Sequence, residues 1–273
     1  MTNDNDLSGA AFGDVDGSGY AGDFINYLDH ATDHFQPVKW FAHSCLRLKP
    51  CERVLDVGCG CGDDIRKIAM SIIPHGCAAG VDVSQSMIKE ACRRSAKFVA
   101  QLRFAVADAE ALPWDSDYFD ACLADRVFQH LRNPARALNE MLRVAKPGGR
   151  VVVADRDWGL VSVDATDAAT TSVVLGRACA GIRNGCMGRN LHTLFAEAGV
   201  RDTEIHTKTI DIQSFGVADL LLDLRVVVHQ AVTEERITQY AASKWLDDLM
   251  EKDATQTFFA KITVFIACGT KVS

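Results

Sequence analysis

From Arg53 onward, short apolar runs alternate with stretches whose apolar residues recur every three or four positions, and glycine, proline or aspartate marks the joins. Val54-Leu55-Asp56-Val57 predicts a short buried strand that runs straight into glycines, with a helix following over 64–73. A second strand is expected over 78–83, then a helix for which Ser84 is a natural N-cap. The third and fourth strands fall over 102–107 and 119–124. Asn133 and Pro134 open the next helix, whose apolar face is Leu138, Met141, Leu142 and Ala145. Lys146-Pro147-Gly148-Gly149 stops it, and a fifth strand covers 150–154. Strands and helices of this length in strict alternation predict a doubly wound α/β fold, with a mostly parallel sheet covered on both faces.

The flanks are less regular. Residues 1–22 hold five glycines and four aspartates and predict a flexible arm. Residues 23–48 predict one or two amphipathic helices. After Asp157 an inserted, partly helical segment spans 158–188, a helix over 190–198 is closed by Gly199, and 201–212 reads as a strand. Helices follow over 218–232 and 234–252, then a last strand over 258–269. With no linker or repeat, 23–273 is expected to be one domain. Its ligand-binding core would be about 50–157, capped by 23–48, 158–188 and 214–252.

Composition narrows the partners. The 273 residues are 48% hydrophobic and 24% charged, with a formal net charge of −7. That balance disfavours nucleic acid as the main partner, since such partners need a basic face. No apolar run approaches the roughly 20 residues that span a bilayer. The first cation is Lys39 and no apolar leader precedes it, so a cytoplasmic protein is expected. The ten cysteines form no C-x-x-C pair and are expected to be free thiols, with no metal site.

The chemistry concentrates in Val57-Gly58-Cys59-Gly60-Cys61-Gly62. Glycines at a strand end let a ligand approach the backbone, and in a doubly wound sheet that end borders the nucleotide crevice. The glycines at 58, 60 and 62, with Cys61 between the last two, do not keep the spacing of a dinucleotide fingerprint. Asp56 stands inside the strand end, suited to a ligand amino group rather than to a diphosphate. Asp82 ends the second strand 24 residues after Gly58, where a carboxylate can accept bonds from ribose hydroxyls. Asp108 ends the third strand, beside Ala109, placed to read an adenine edge. Three acidic strand ends facing one crevice describe a nucleoside site with little phosphate character.

Taken with Gly80-Val81-Asp82-Val83-Ser84-Gln85-Ser86-Met87, Asp108-Ala109-Glu110-Ala111-Leu112-Pro113-Trp114 and Leu142-Arg143-Val144-Ala145-Lys146-Pro147-Gly148-Gly149, this loop resembles the class I S-adenosylmethionine-dependent methyltransferases. The likeness is to the small-molecule branch related to the ubiquinone and menaquinone C-methyltransferases. It implies a Rossmann-like, seven-stranded sheet with an antiparallel last strand, S-adenosyl-L-methionine as cofactor, and S-adenosyl-L-homocysteine as product. It further implies that Gly58, Cys59 and Gly60 pass the methionine moiety and that Asp56 binds its amino group. Asp82 would hold the ribose, Val83 and Met87 would pack on adenine, Asp108 and Ala109 would read the adenine edge, and Asp125 and Arg126 would line the methionine end.

His130, just after the fourth strand, is the candidate general base, with an ordinary pKa suited to a phenol or activated carbon acid. Asp125-Arg126-Val127-Phe128 stands where relatives that methylate amide or exocyclic amino groups of macromolecules carry Asn/Asp-Pro-Pro-aromatic, which favours a small acceptor. Trp158, Phe215, Leu220, Leu221, Leu222, Val226 and Trp245 in the cap suggest that it is apolar, aromatic or isoprenoid. Two alternatives stay open: a protein that keeps the cofactor but transfers no methyl group, as a cyclase or regulator, and a nicotinamide-dependent oxidoreductase. The acceptor atom and the oligomeric state have no signature in the chain.

Overall fold

A computed structural model describes residues 11–98 and 101–272. A 25-residue helix, α1 (Ala21–Cys45), precedes the alternating core. There follow β1 (Arg53–Val57), α2 (Asp63–Ser71), β2 (Cys77–Asp82), α3 (Gln85–Ser95), β3 (Gln101–Val106), β4 (Phe119–Asp125), α4 (Pro134–Val144) and β5 (Ala145–Arg156). The second half supplies the two-residue β6 (Ser162–Val163), then α5 (Ala168–Gly181), α6 (Met187–Glu197) and β7 (Arg201–Ile212). It closes with α7 (Phe215–Leu222), α8 (Leu224–Thr233), α9 (Gln239–Ala254) and β8 (Ala260–Thr270).

The starts of these helices follow from their caps. Ser84 accepts the Met87 N–H ahead of α3, and Asn133 accepts the Arg136 N–H ahead of α4, where Pro134 takes the first position. The parallel strands lie in the order β3-β2-β1-β4-β5. β8 then runs antiparallel to β5 over Arg150–Arg156, and also pairs with β6 and β7. Side chains of one strand alternate between two cores. Val54, Val152 and Ala154 face α1, α2, α5 and α7 to α9, whereas Leu55, Val151 and Val153 face α4 and α6. The expected doubly wound sheet with an antiparallel last strand is therefore present, extended by β6. No helix among the described residues is long and apolar enough to cross a membrane.

Three expectations change. Residues 1–10 of the anticipated arm lie outside the described residues, but 11–20 are folded. Ala11–Asp14 is a 3₁₀ turn, Val15 is buried, and Phe12 lies edge-on to Phe24 with ring centroids 4.7 Å apart. Spaced apolar residues among glycines can still fill a groove that another element provides. The region expected to hold one or two helices is the single helix α1, which continues through Pro37. Residues 218–232 are not one helix either: Asp223, at φ 51°, separates α7 from α8. A left-handed aspartate is a natural helix end, because its short polar side chain tolerates that conformation.

Candidate active site

β1 pairs with β2 on one side and β4 on the other, so successive connections leave its carboxyl end in opposite directions and open a crevice there. The glycine loop fills the bottom of that crevice. The N–H groups of Gly58 and Cys59 both donate to the Val81 carbonyl, at 2.7 and 2.9 Å, which folds the loop back over β2. Gly58 has φ +70°, and a Cβ there would stand 2.4 Å from Val127 Cγ2, so this position requires glycine. Asp82 ties the loop to α3, accepting the N–H of Gly60 through one oxygen and of Ser84 through the other, both at 2.9 Å. Burial raises the pKa of its carboxyl, and those N–H groups offset part of the rise.

Beneath the loop lies a chain of charges. Lys39, only 5% exposed, is paired to Asp64 and stands 3.0 Å from Asp125. His43 reaches Asp64 at 3.4 Å, and Arg126 reaches Asp125 at 3.4 Å. Burial works against all these charges, but mutual pairing outweighs it: the carboxyls of Asp64 and Asp125 fall below the ordinary range and the Lys39 ammonium rises above its own. At Asp56 the compensation from Lys39 is outweighed. Burial, and then the negative charge of Asp64, push its carboxyl well above the usual range. It is a buried acid that an incoming ammonium would ionise.

The other bank is made by β4, β5 and the cap. Arg126 has φ 59°, a rare value for a non-glycine residue at the end of a strand. Arg156, 4% exposed, donates to the Leu221 carbonyl and the Tyr27 hydroxyl, both at 3.1 Å. Trp158 Nε1 donates to Gln129 Oε1 at 2.7 Å. Asp155 is fully buried behind them and accepts the Gln129 and Arg156 N–H groups; burial nevertheless pushes its pKa up to about 7.

The folded N-terminal segment covers the crevice. Asp16 accepts from Ser84 Oγ and from the N–H groups of Gln85 and Ser86, so it acts as a second cap on α3. Phe12 lies 5.6 Å, ring to ring, from His130. The resulting cavity has a volume of about 130 Å³.

Of the residues singled out from sequence, Asp56, Gly58, Cys59, Gly60, Asp82, Met87, Asp125, Arg126 and His130 line this one cavity. Val83, Asp108 and Ala109 do not. Val83 is 56% exposed, Asp108 closes a local turn on the Glu110 N–H, and Ala109 packs with Leu112 in the core beneath α4. Of the cap residues proposed for an acceptor, Trp158 and Leu221 reach the cavity, while Phe215, Leu222 and Trp245 pack in the core of the cap. Sequence reasoning passed over Tyr27, Lys39, Asp64, Gln129 and Arg156, which also line it. Lys39 carried a signal: it is the first cation of the chain and interrupts the apolar series of its helix. Away from the cavity, Cys45, His206 and Cys268 bring one ligand atom each within 4.8 Å of one another.

Residues 48–199 match the family model described as a methyltransferase domain. The chain belongs to that methyltransferase family. A 37.1 kDa uncharacterized protein in transposon TN4556 of Streptomyces fradiae is 33% identical to this methyltransferase over 247 residues, covering 89% of this chain and 70% of that one. The ubiquinone/menaquinone biosynthesis C-methyltransferase UbiE of Vibrio vulnificus is 33% identical over 117 residues, covering 42% of this chain. The match spans 45% of the length of that relative. Among solved structures, the Haemonchus contortus phosphoethanolamine N-methyltransferase 2 in complex with phosphomonomethylethanolamine and S-adenosylhomocysteine superimposes with a TM-score of 0.59. It is 19% identical, and the alignment covers 98% of this chain and 61% of that one, a likeness of fold.

Proposed function

We propose that this methyltransferase moves the methyl group of S-adenosyl-L-methionine to a small-molecule acceptor bound between β4, β5 and the cap. The observation that carries the reading is the gathering of Asp56, Gly58, Gly60 and Asp82 in one crevice, opposite His130, in a chain of this family. The residues fit the cofactor. Asp56 would hold its amino group, since a buried carboxyl with a raised pKa gains most from an ammonium partner. Gly58 and Gly60 would let its chain approach the loop, Asp82 would hold the ribose, and Met87, 2% exposed, would pack on the base. Val83, Asp108 and Ala109, which do not line the cavity, are assigned no contact.

When bound, the cofactor supplies a methyl group already activated on a sulfonium sulfur, so the protein's share is positioning and proton handling. His130 takes the proton from the acceptor. Phe12, against its ring, shields it from water. Trp158, Tyr27 and Leu221 hold the apolar body of the acceptor, which supports an aromatic compound over a long isoprenoid chain.

Isothermal titration with S-adenosylhomocysteine tests the first half, with NAD as control ligand. Binding that disappears in Asp82→Ala supports the site; no binding, or a preference for NAD, refutes it. Incubating the protein with methyl-labelled S-adenosylmethionine and fractionated small metabolites tests the second half. Label transferred by the wild type and lost in His130→Ala supports catalysis. Binding without transfer in any fraction favours a non-methylating scaffold.

A further inference from the structure

At the acceptor end of the cavity one buried cation, Arg156, forms no ion pair among the described residues. Lys39 and Arg126 are both accounted for by Asp64 and Asp125. Arg156 has no carboxylate within ion-pair distance among the described residues; its partners are a carbonyl and a phenol. Its guanidinium lies 4.8 Å from the Phe35 ring centroid and that of Arg126 lies 4.3 Å from the same centroid. Both arginines line the cavity, and the Nε of each is buried with no acceptor among the described residues. Those two Nε atoms are sealed off from a ligand, but the terminal nitrogens of Arg156 carry four N–H groups and among the described residues meet only two neutral acceptors, so donors remain there for an anion. Asp223 does not serve as that anion. It is only half-buried, lines the cavity without an ion pair to Arg156, and also borders a surface groove beside Arg225.

We infer that the acceptor carries an anionic group, a carboxylate or its equivalent, which docks on Arg156 with support from Arg126. Guanidinium groups suit this role because their planar donors match a carboxylate, and charge-assisted bonds are about twice as strong as neutral ones. The bound cofactor would add a sulfonium charge to the same enclosed space, which favours an anion there further. Calling that anion the acceptor rests on the methyl-transfer reading; the anion site itself does not.

Benzoate and benzamide share size and shape and differ in charge, so they are the probes. Each is titrated calorimetrically into the protein with and without S-adenosylhomocysteine. The expected result is benzoate binding at least about tenfold tighter than benzamide. Arg156→Met abolishes that preference and Arg156→Lys keeps part of it, while the S-adenosylhomocysteine affinity and melting temperature of both variants report an intact fold. No benzoate binding, equal binding of the two probes, or a preference that survives in Arg156→Met overturns the inference and leaves the methyl-transfer reading standing. Benzoate preference without any S-adenosylhomocysteine binding refutes the methyl-transfer reading and keeps the anion site.

Discussion

Lys39→Met puts the charge chain beneath the glycine loop to a quantitative test. Methionine keeps the length and flexibility of the side chain and deletes the ammonium, so packing changes little. What changes is the company of Asp64 and Asp125, whose side chains are 12% and 8% exposed. Asp64 would retain His43 at 3.4 Å, and Asp125 would retain Arg126 at 3.4 Å. Breaking a buried ion pair from one side costs about 3–5 kcal/mol, since the partner stays buried and uncompensated. For a chain of this size each kcal/mol moves Tm by roughly 2–4 °C, so a drop of about 10 °C at pH 8 is expected by thermal melting. The pH dependence follows in sign. In the wild type both carboxyls are depressed, so their contribution is present above the ordinary carboxylate range and disappears only as acid titrates the folded state. In the variant Asp64 loses the cation that chiefly depresses it and Asp125 loses one of its two, so both can escape by taking up protons and the deficit shrinks from pH 8 towards pH 5. Lys39→Met/Asp64→Asn should recover part of the loss. A single variant within about 2 °C of wild type at pH 8, or a deficit independent of pH, would mean that these carboxylates reach water and that the buried-pair reasoning is wrong.

Three further outcomes are expected. Gly58→Ala must hold φ near +70° and displace Val127, a combined cost of about 2–4 kcal/mol that weakens S-adenosylhomocysteine binding. Adding Val127→Ala should restore only the steric share, and unchanged melting and affinity in the single variant would count against the loop geometry. Asp155, raised to about 7 when folded, favours the folded state most below the ordinary aspartate pKa and loses that advantage as pH rises towards 7. Asp155→Asn should therefore flatten the stability slope between about pH 4 and 7, on the order of 4 kcal/mol in all, in urea melts at stepped pH; an unaltered slope would place the titration elsewhere. Asp16→Ala removes a cap worth about 1 kcal/mol, and hydrogen exchange over 11–20 should accelerate while the parallel strands stay protected. Equal exchange in both proteins would show that Phe12 and Val15 alone hold the segment.

The parallel core was readable because each of its signals is local. Ser84 and Asn133 cap within their own turns, Gly58 and Asp82 lie at the ends of adjacent strands, and β1 to β4 form near their expected bounds, whereas β5 begins at Ala145, five residues before its expected start. What sequence alone did not reveal depends on distant partners. Residues 11–20 read as a loose arm because their anchor, the N-terminus of α3, lies some seventy positions away. Lys39 and Arg156 looked like ordinary cations because the groups that bury them come from β4, α2 and α7. Val83 and Asp108 show the opposite case. Motif spacing named them, but Val83 lies in a bend beyond the end of β2 with its side chain exposed, and Asp108 closes a local turn; neither lines the cavity.

The antiparallel β8 has a consequence for the order in which the fold can assemble. Among the described residues β7 has no sheet partner except β8, and β8 lies between it and β5. A nascent chain that has emerged as far as Ile212 already holds every parallel strand, yet β7 must wait with both edges bare while some fifty more residues are made. Pairings between segments so far apart in sequence form late, and unpaired strand edges are the surfaces on which chains aggregate. The charge on β7, with Arg201, Asp202, Glu204, Lys208 and Asp211 along its twelve residues, then acts as protection during synthesis. Substitutions that neutralise this strand would lower the yield of folded protein before they altered anything measurable in the finished one.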